Sequence, residues 1–255
     1  MESSKITTLK TSIPFVDKVS NPVAAEGGSE MEVMDKALAR GPQVIRHRNR
    51  AVTREDFEWL AKQASPSIAL AKCLPNFDNM GEYKPGWVTV IIVPGSEEEQ
   101  PEPSLELKSQ VEEYLKDHSA NTVVSPEHFQ VSGPVYVGVS VEATIITASM
   151  NDVPLVEKEA FSQLKAFLHP LTGGYEGEGW DFGKAPCLSD FFALLEKIPG
   201  VNHVKSLLIR VKADDKQGAS ELVVTPEKPG DIEMPPYTLV FSGEHKIVVT
   251  FEEES

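Results

Sequence analysis

The run from Val135 to Ile146 constrains the fold of this chain more than any other part of the sequence. Its apolar residues occupy every second position, and mostly polar or aromatic residues fill the positions between them. Successive side chains of a strand point to opposite faces, so this alternation predicts a long, half-buried strand. The buried face would be formed by Val135, Val137, Val139, Val141 and Ala143, and the other face by Tyr136, Ser140, Glu142 and Thr144.

This strand opens a predicted second module, residues 132–213, with the element order β-α-α-β. A helix is expected from Val153 to Leu168, where Pro154 fits the first turn. A glycine-rich loop follows over Gly173–Gly183, and then a short helix capped by Ser189. A strand over Val201–Val211 closes the module.

A first module with the order α-β-β-α-β is predicted for residues 43–131. Thr53 and Asp56 resemble a capping box at the start of its first helix, with Val52 and Phe57 as a hydrophobic staple. Two strands and a second helix capped by Ser104 follow, and a short strand near Val123 or Phe129 ends the module. The predicted bounds are Ile68–Leu74 and Trp87–Val93 for the two strands, and Ser104–His118 for the helix.

Residues 1–42 are interpreted as an extended arm and a short helix, Ser29–Arg40, which Gly41-Pro42 would end. Apolar Phe15 and Val16 favour docking of the arm, on this chain or on a partner, over a disordered tail. Residues 214–255 form a tail in which Tyr237–Phe241 and Lys246–Phe251 predict a β-hairpin over 242–245. These strands would complete the second module. The predicted fold class is α+β, with two small mixed α/β sandwich modules.

The charge balance argues against anionic partners. The 255 residues carry a formal net charge of −15, and an acidic surface repels phosphate, so nucleic acid and anionic membranes are poor partners. Cys73 and Cys187 lie far apart in apolar surroundings, which predicts two reduced, buried thiols. No secretory signal or membrane-spanning run is recognisable, and the expected location during assembly is the cytoplasm.

One dense basic run stands out, with Arg46, Arg48 and Arg50 separated by His47 and Asn49. It is interpreted either as a solvated strand or loop edge, or as an interface patch that meets an acidic neighbour. Nucleic-acid binding is the least supported reading because no aromatic residues interleave with the arginines. Together with Phe15 and Val16 of the arm, the three arginines are the candidate interface residues.

No pattern of catalytic residues is visible in the sequence. The six histidines form no metal-binding pair or Cys/His cluster, which leaves no metal, cofactor or small-molecule substrate to expect. The loop from Thr172 to Trp180 is rich in glycine, but it carries Glu176 and Glu178 where a phosphate loop needs Lys and Ser or Thr. A tight surface loop is the simpler interpretation. A third hypothesis places an unseen enzyme site near His169 and these two glutamates, and the prediction is that the chain is not an enzyme.

Four blocks of sequence, in order, resemble the C-terminal part of baseplate J-like proteins, the wedge components of contractile phage tails and extracellular contractile injection systems. The resemblance covers roughly residues 10–212, and the tail after Ala213 matches less well. The most specific block is HPLTGGYEGEGWDFG, His169–Gly183, followed by LSDFFALLEKIPGV. The other blocks are Thr11–Gly28, Asn49–Leu60 and Gly133–Val141.

The resemblance implies structural work without a cofactor or a reaction. Wedge proteins of this kind assemble with copies of themselves or homologues around a central hub and help to couple a trigger to sheath contraction. The implied partners are other wedge subunits, the hub, and sheath or sheath-proximal subunits of a phage tail or tail-like particle. A different class of function stays open, that of a stand-alone acidic binding module or assembly chaperone.

Overall fold

The structure is a computed structural model, which describes residues 7–8, 10–11, 13–16, 18–20, 33–78, 81–120, 123–124, 127–215, 218–226 and 232–252. The chain divides into two compact units, residues 1–48 and 49–255. The second unit contains the helices and strands that were predicted for the two modules, while the module boundaries stay a prediction. Each unit is described separately below.

The first unit contains helix α1, Met34–His47, which corrects the predicted end of the helix. The predicted start at Ser29 lies outside the described residues, whereas the predicted stop at Gly41-Pro42 is wrong because the helix continues through both. Pro42 lacks the N–H that would bond the Leu38 carbonyl, a local loss that tends to kink a helix without always ending it. The helix ends instead at Arg48, whose left-handed φ of 49° lets its N–H bond to the Val44 carbonyl.

The first module of the second unit confirms the predicted order α-β-β-α-β. Its elements are α2 Arg54–Ala64, β1 Ile68–Phe77, β2 Tyr83–Pro94, α3 Leu105–Asp117 and β3 Phe129–Ser132. The sheet order is β1-β2-β3, with β1 antiparallel and β3 parallel to β2. Helices α2 and α3 bury Phe57, Leu60, Val111 and Leu115 against this sheet.

The capping box that starts α2 is present. The Asp56 N–H donates to Thr53 Oγ1, and the Thr53 N–H donates to an Asp56 carboxylate oxygen at 2.7 Å. The predicted staple is wrong, because Val52 is 73% exposed. Glu58 on the same helix accepts the outward-pointing N–H of Cys73 at 3.1 Å. This bond occupies one N–H of the edge strand β1 that would otherwise be open to pairing with another chain.

The second module also keeps its predicted core order β-α-α-β, and it gains the two predicted C-terminal strands and one strand, β6, that was not predicted. Its elements are β4 Val135–Thr147, α4 Val153–Phe167, α5 Leu188–Leu195, β5 Val201–Asp215, β6 Gly218–Val224, β7 Thr238–Ser242 and β8 Lys246–Phe251. The N-cap of α5 is Cys187 and not Ser189, because the Cys187 N–H donates to the Asp190 carboxylate. Cys187 is exposed, so the expectation of two buried thiols holds only for Cys73, where burial raises the pKa to about 12.

The five-stranded sheet buries one face under α4 and α5. The alternating face predicted for β4 packs there, around the fully buried Leu164, Phe191 and Leu195. The opposite face is more covered than predicted at the start of the strand, where Tyr136 is 8% exposed. The reason is that Tyr136, Leu239 and Phe241 pack against Leu70 and Val93 of the first module.

The C-terminal strands form at the predicted places, but the predicted hairpin is wrong. Strand β7 pairs with the first half of β4 and β8 with the second half, both in parallel. They therefore act as one interrupted edge strand. The strand pairing was not predictable from the turn residues because both strands find their partner about 100 residues earlier in the chain.

His245 fills the interruption between β7 and β8. Its Nδ1 accepts the Val141 N–H at 3.0 Å, and its Nε2 lies 2.9 Å from Ser242 Oγ. A nitrogen that accepts from an amide carries no proton, so the ring is neutral and Nε2 donates to Ser242. Burial lowers the pKa of His245 to about 4.

Because His245 is buried in its neutral form, we expect the folded chain to lose stability in mild acid. Its ordinary pKa of 6.5 applies to the unfolded chain, so between pH 6.5 and about 4 the unfolded chain binds a proton that the folded chain does not. The stabilisation is complete above pH 6.5 and is lost as the pH falls, by roughly 1–3 kcal/mol. Urea unfolding at pH 7.5 and 4.5 measures it. Asparagine offers an acceptor that does not titrate, so His245→Asn should lose less stability over this range, and equal losses would refute the assignment.

Candidate assembly surfaces

The first two arginines of the basic run lie at the end of helix α1, and the third lies in the segment that follows it. Arg46 belongs to the exposed last turn of α1, and Arg48 is its C-cap, where positive charge interacts favourably with the helix dipole. Arg50 is the second residue of the second unit, and it is also exposed. The structure thus exposes all three guanidinium groups but does not test whether they meet a partner.

The two apolar residues of the arm are exposed as well. The Phe15 ring is fully accessible at 106%, and Val16 is 39% exposed. Phe15 has a φ of 68°, a left-handed conformation that is uncommon for a bulky residue. Exposure of a large aromatic side chain fits docking to a partner, which stays a prediction.

Helix α1 carries a further surface that the sequence analysis missed. Met34, Leu38 and Ile45, which we call the α1 stripe, are 73%, 65% and 76% exposed. Positions 34, 38 and 45 fall within about 40° of one another on a helix of 3.6 residues per turn, so they form a single row. Gly41 lies in the same row, where a side chain would meet no atom within 4 Å. The signal was available in the spacing, but ending the helix at Gly41 removed Ile45 from it.

The glycine-rich loop between α4 and α5 is a closed structural connector. The Phe167 carbonyl accepts both the Gly174 N–H and the Trp180 indole N–H, each at 2.8 Å. Phe167 also makes edge contacts with the rings of Tyr175, Trp180 and Phe191. A phosphate loop directs its N–H groups outward, whereas several N–H groups of this loop bond inward.

The residues of the hypothetical enzyme site have structural or solvent contacts. His169 Nδ1 accepts from the N–H groups of Leu171 and Thr172. Glu176 and Glu178 are exposed on the loop. Within the described part of the chain, no group of three or more His, Cys, Asp or Glu side chains is placed to hold a metal ion. None of the described helices is long and apolar enough to cross a membrane.

Comparisons with known proteins identify a solved structure with a similar fold. No family model matches the sequence, and no curated protein matches it. The fold is similar to that of a chain in the cryo-EM structure of the anti-feeding prophage (AFP) baseplate, 6-fold symmetrised, with a TM-score of 0.62 and 16% sequence identity. The match covers 95% of this chain and 48% of that chain.

This similarity shows a shared fold. It extends over nearly all of this chain, which spans about half the length of the baseplate chain that it matches. The baseplate role, the wedge position and the partners are matters of proposal.

Proposed function

We propose that this chain is a structural subunit of the baseplate of a contractile tail or injection machine, and that it occupies the wedge. The observation that carries the proposal is the fold, which 95% of the chain shares with part of a baseplate protein. The ordered sequence blocks, of which His169–Gly183 is the most specific, point independently to the same class. In this role the chain acts by assembling with other proteins and catalyses no reaction.

The exposed residues of the first unit supply the contact chemistry for this role. The α1 stripe is apolar, and a contiguous exposed apolar surface commonly marks a protein–protein interface. Burying a side chain of this size contributes about 1.5–3 kcal/mol, so three of them form a substantial anchor. We propose that α1 packs against a helix of a neighbouring wedge, hub or sheath-proximal subunit, in the cytoplasm during assembly, and that this contact helps to couple the wedge to sheath contraction.

Particles from a strain that lacks the gene test this function. Baseplate formation should fail, and negative-stain microscopy should show no complete contractile particles. Complementation with the wild-type chain should restore them and place the chain in the purified particles. Normal particles without the gene would refute the baseplate role and would favour the stand-alone acidic binding module or assembly chaperone.

The three exposed arginines are expected to make a moderate contribution to assembly. Replacing Arg46, Arg48 and Arg50 with glutamine should weaken incorporation into particles by about tenfold, because rim charges that meet an acidic neighbour steer and orient association. The melting temperature of the chain should change little, since all three side chains are exposed. Pull-down of the tagged variant with its partners measures the effect. Equal incorporation of the variant and the wild type would remove the arginines from the interface.

A further inference from the structure

The second sheet has an open trough on the face away from α4 and α5. The first module packs on this face at the start of β4, where Tyr136 lies. Farther along the strands, the face forms a groove of about 610 Å³ across β4, β5 and β8. Register places Leu208, Glu142 and Lys246 in one row of its floor and Ser206, Thr144 and Val248 in the next.

The trough combines apolar and basic groups in a strongly acidic chain. Val248 is 46% exposed and Leu208 is partly exposed, so the floor offers apolar contact. Arg210 bonds Glu142 at 2.8 Å, and Lys205 at the rim pairs with Glu252. Lys246 is exposed and has no ion-pair partner among the described residues. Because each of the first two cations is paired with a glutamate, these five groups leave one positive charge, that of Lys246, against a net charge of −15 for the chain.

An acidic ridge with complementary chemistry lies at the other end of the same unit. The ridge is defined by the exposed residues Glu97, Glu98, Glu99, Glu102, Leu105 and Glu106. Leu105 is 81% exposed and stands among the carboxylates. The ridge is held in place because the Tyr136 hydroxyl donates to the Pro101 carbonyl at 2.8 Å and Lys165 bonds Glu99 at 2.5 Å.

The ridge and the trough of one chain cannot meet. The ridge is anchored at Tyr136, whereas the trough is centred on Thr144, eight residues farther along β4. At about 3.3 Å per residue, this separation is roughly 26 Å. A contact between these two surfaces therefore requires two copies of the chain.

We propose that the acidic ridge of one copy docks in the trough of the next. Leu105 contacts Leu208 and Val248, and the ridge carboxylates face Lys205 and Lys246. The contact joins different surfaces of the two copies, so it is head-to-tail and generates a ring when the rotation closes. The inference rests on the proposed function, because it supplies the self-contact that a ring-forming subunit needs.

Carbodiimide cross-linking of the full-length chain tests the contact. The reagent joins a lysine to a carboxylate without a spacer, and mixing ¹⁵N-labelled with unlabelled chain marks the links between copies. We expect isotopically mixed pairs in which Lys205 or Lys246 is joined to a carboxylate in 97–106. Mixed links from the ridge to other lysines, or no mixed links at concentrations up to about millimolar, would overturn the proposal.

Charge exchange tests the pairing itself. Lys205→Glu with Lys246→Glu, and separately Glu97→Lys with Glu98→Lys, should each reduce the cross-link yield at least about tenfold. Mixing the two variants should restore the yield, whereas Lys158→Glu with Lys197→Glu, on exposed lysines outside the trough, should leave it unchanged. Losses without restoration would overturn the pairing.

The two failures are distinguishable. If trough variants enter complete particles as well as the wild type does, the docking is wrong and the baseplate role stands. If the copies cross-link as expected but the strain lacking the gene makes normal particles, the docking stands and the baseplate role fails.

Discussion

Replacing Met34, Leu38 and Ile45 with glutamine is expected to lower the affinity of the chain for its assembly partner at least about 100-fold. Each side chain contributes about 1.5–3 kcal/mol when buried, and glutamine removes most of that while keeping a similar length and good helix propensity. A 100-fold change corresponds to about 2.7 kcal/mol, so even partial burial of the α1 stripe suffices. Titration of a tagged chain against purified partner complexes measures the affinity.

A matched control shows whether the effect depends on the position of the α1 stripe or on the loss of any three exposed apolar side chains. Val52, Met150 and Leu155 are also exposed, at 73%, 76% and 63%, but lie outside α1. Their replacement with glutamine should leave the affinity within about twofold of the wild type, as expected for residues outside the contact. Both variants should keep the melting temperature of the second unit. Comparable losses from the two sets would show that the stripe has no special role.

Gly173→Ala is expected to destabilise the second unit by about 3 kcal/mol or more. The added Cβ would lie 2.5 Å from the His169 carbonyl oxygen and closer still to that of Phe167, and both oxygens belong to the backbone. The steric clash can be relieved only if the loop opens. Opening breaks the hydrogen bonds from the Gly173 N–H to the His169 carbonyl and from the Gly174 N–H to the Phe167 carbonyl. Thermal unfolding should show a fall of roughly 6–12 °C.

The control for this substitution is Gly95→Ala. A Cβ at Gly95 would meet the Ser67 carbonyl oxygen at 3.7 Å, an ordinary contact, and its φ is not left-handed. Its stability should change by less than about 1 kcal/mol. A stable Gly173→Ala chain would mean that the loop tolerates rearrangement, and the tight closure around Phe167 would then not explain its glycines.

The elements that the sequence predicted well are those specified by neighbouring residues. The alternation in β4 and the cap of α2 at Thr53 depend on short spacings, and both are present. The error over the hairpin arises because distant residues decide the strand pairing. The turn residues 242–245 suggested a hairpin, but pairing with β4 proved available to both strands. Gly41-Pro42 is locally unfavourable for a helix, yet α1 continues through it.

The candidate site was predictable only in part. The three arginines, Phe15 and Val16 are exposed as an interface requires, while their contacts stay predictions. The α1 stripe was missed because it depends on a helix longer than its local sequence favours. The trough and the ridge were beyond sequence reasoning, since the trough is formed by strands about 100 residues apart. The register of those strands decides which side chains share a face.

The late arrival of β7 and β8 has a consequence for synthesis of the chain. Strand β4 is the centre of its sheet, but one of its edges is completed only by residues 238–251. Until the ribosome has released those residues, β4 presents unpaired N–H and C=O groups and a row of valines. Such an edge is a template for aggregation, and closing pairs of large sequence separation is slow. Chains cut short before β8 should therefore be cleared or precipitated, so that only complete copies reach an assembly.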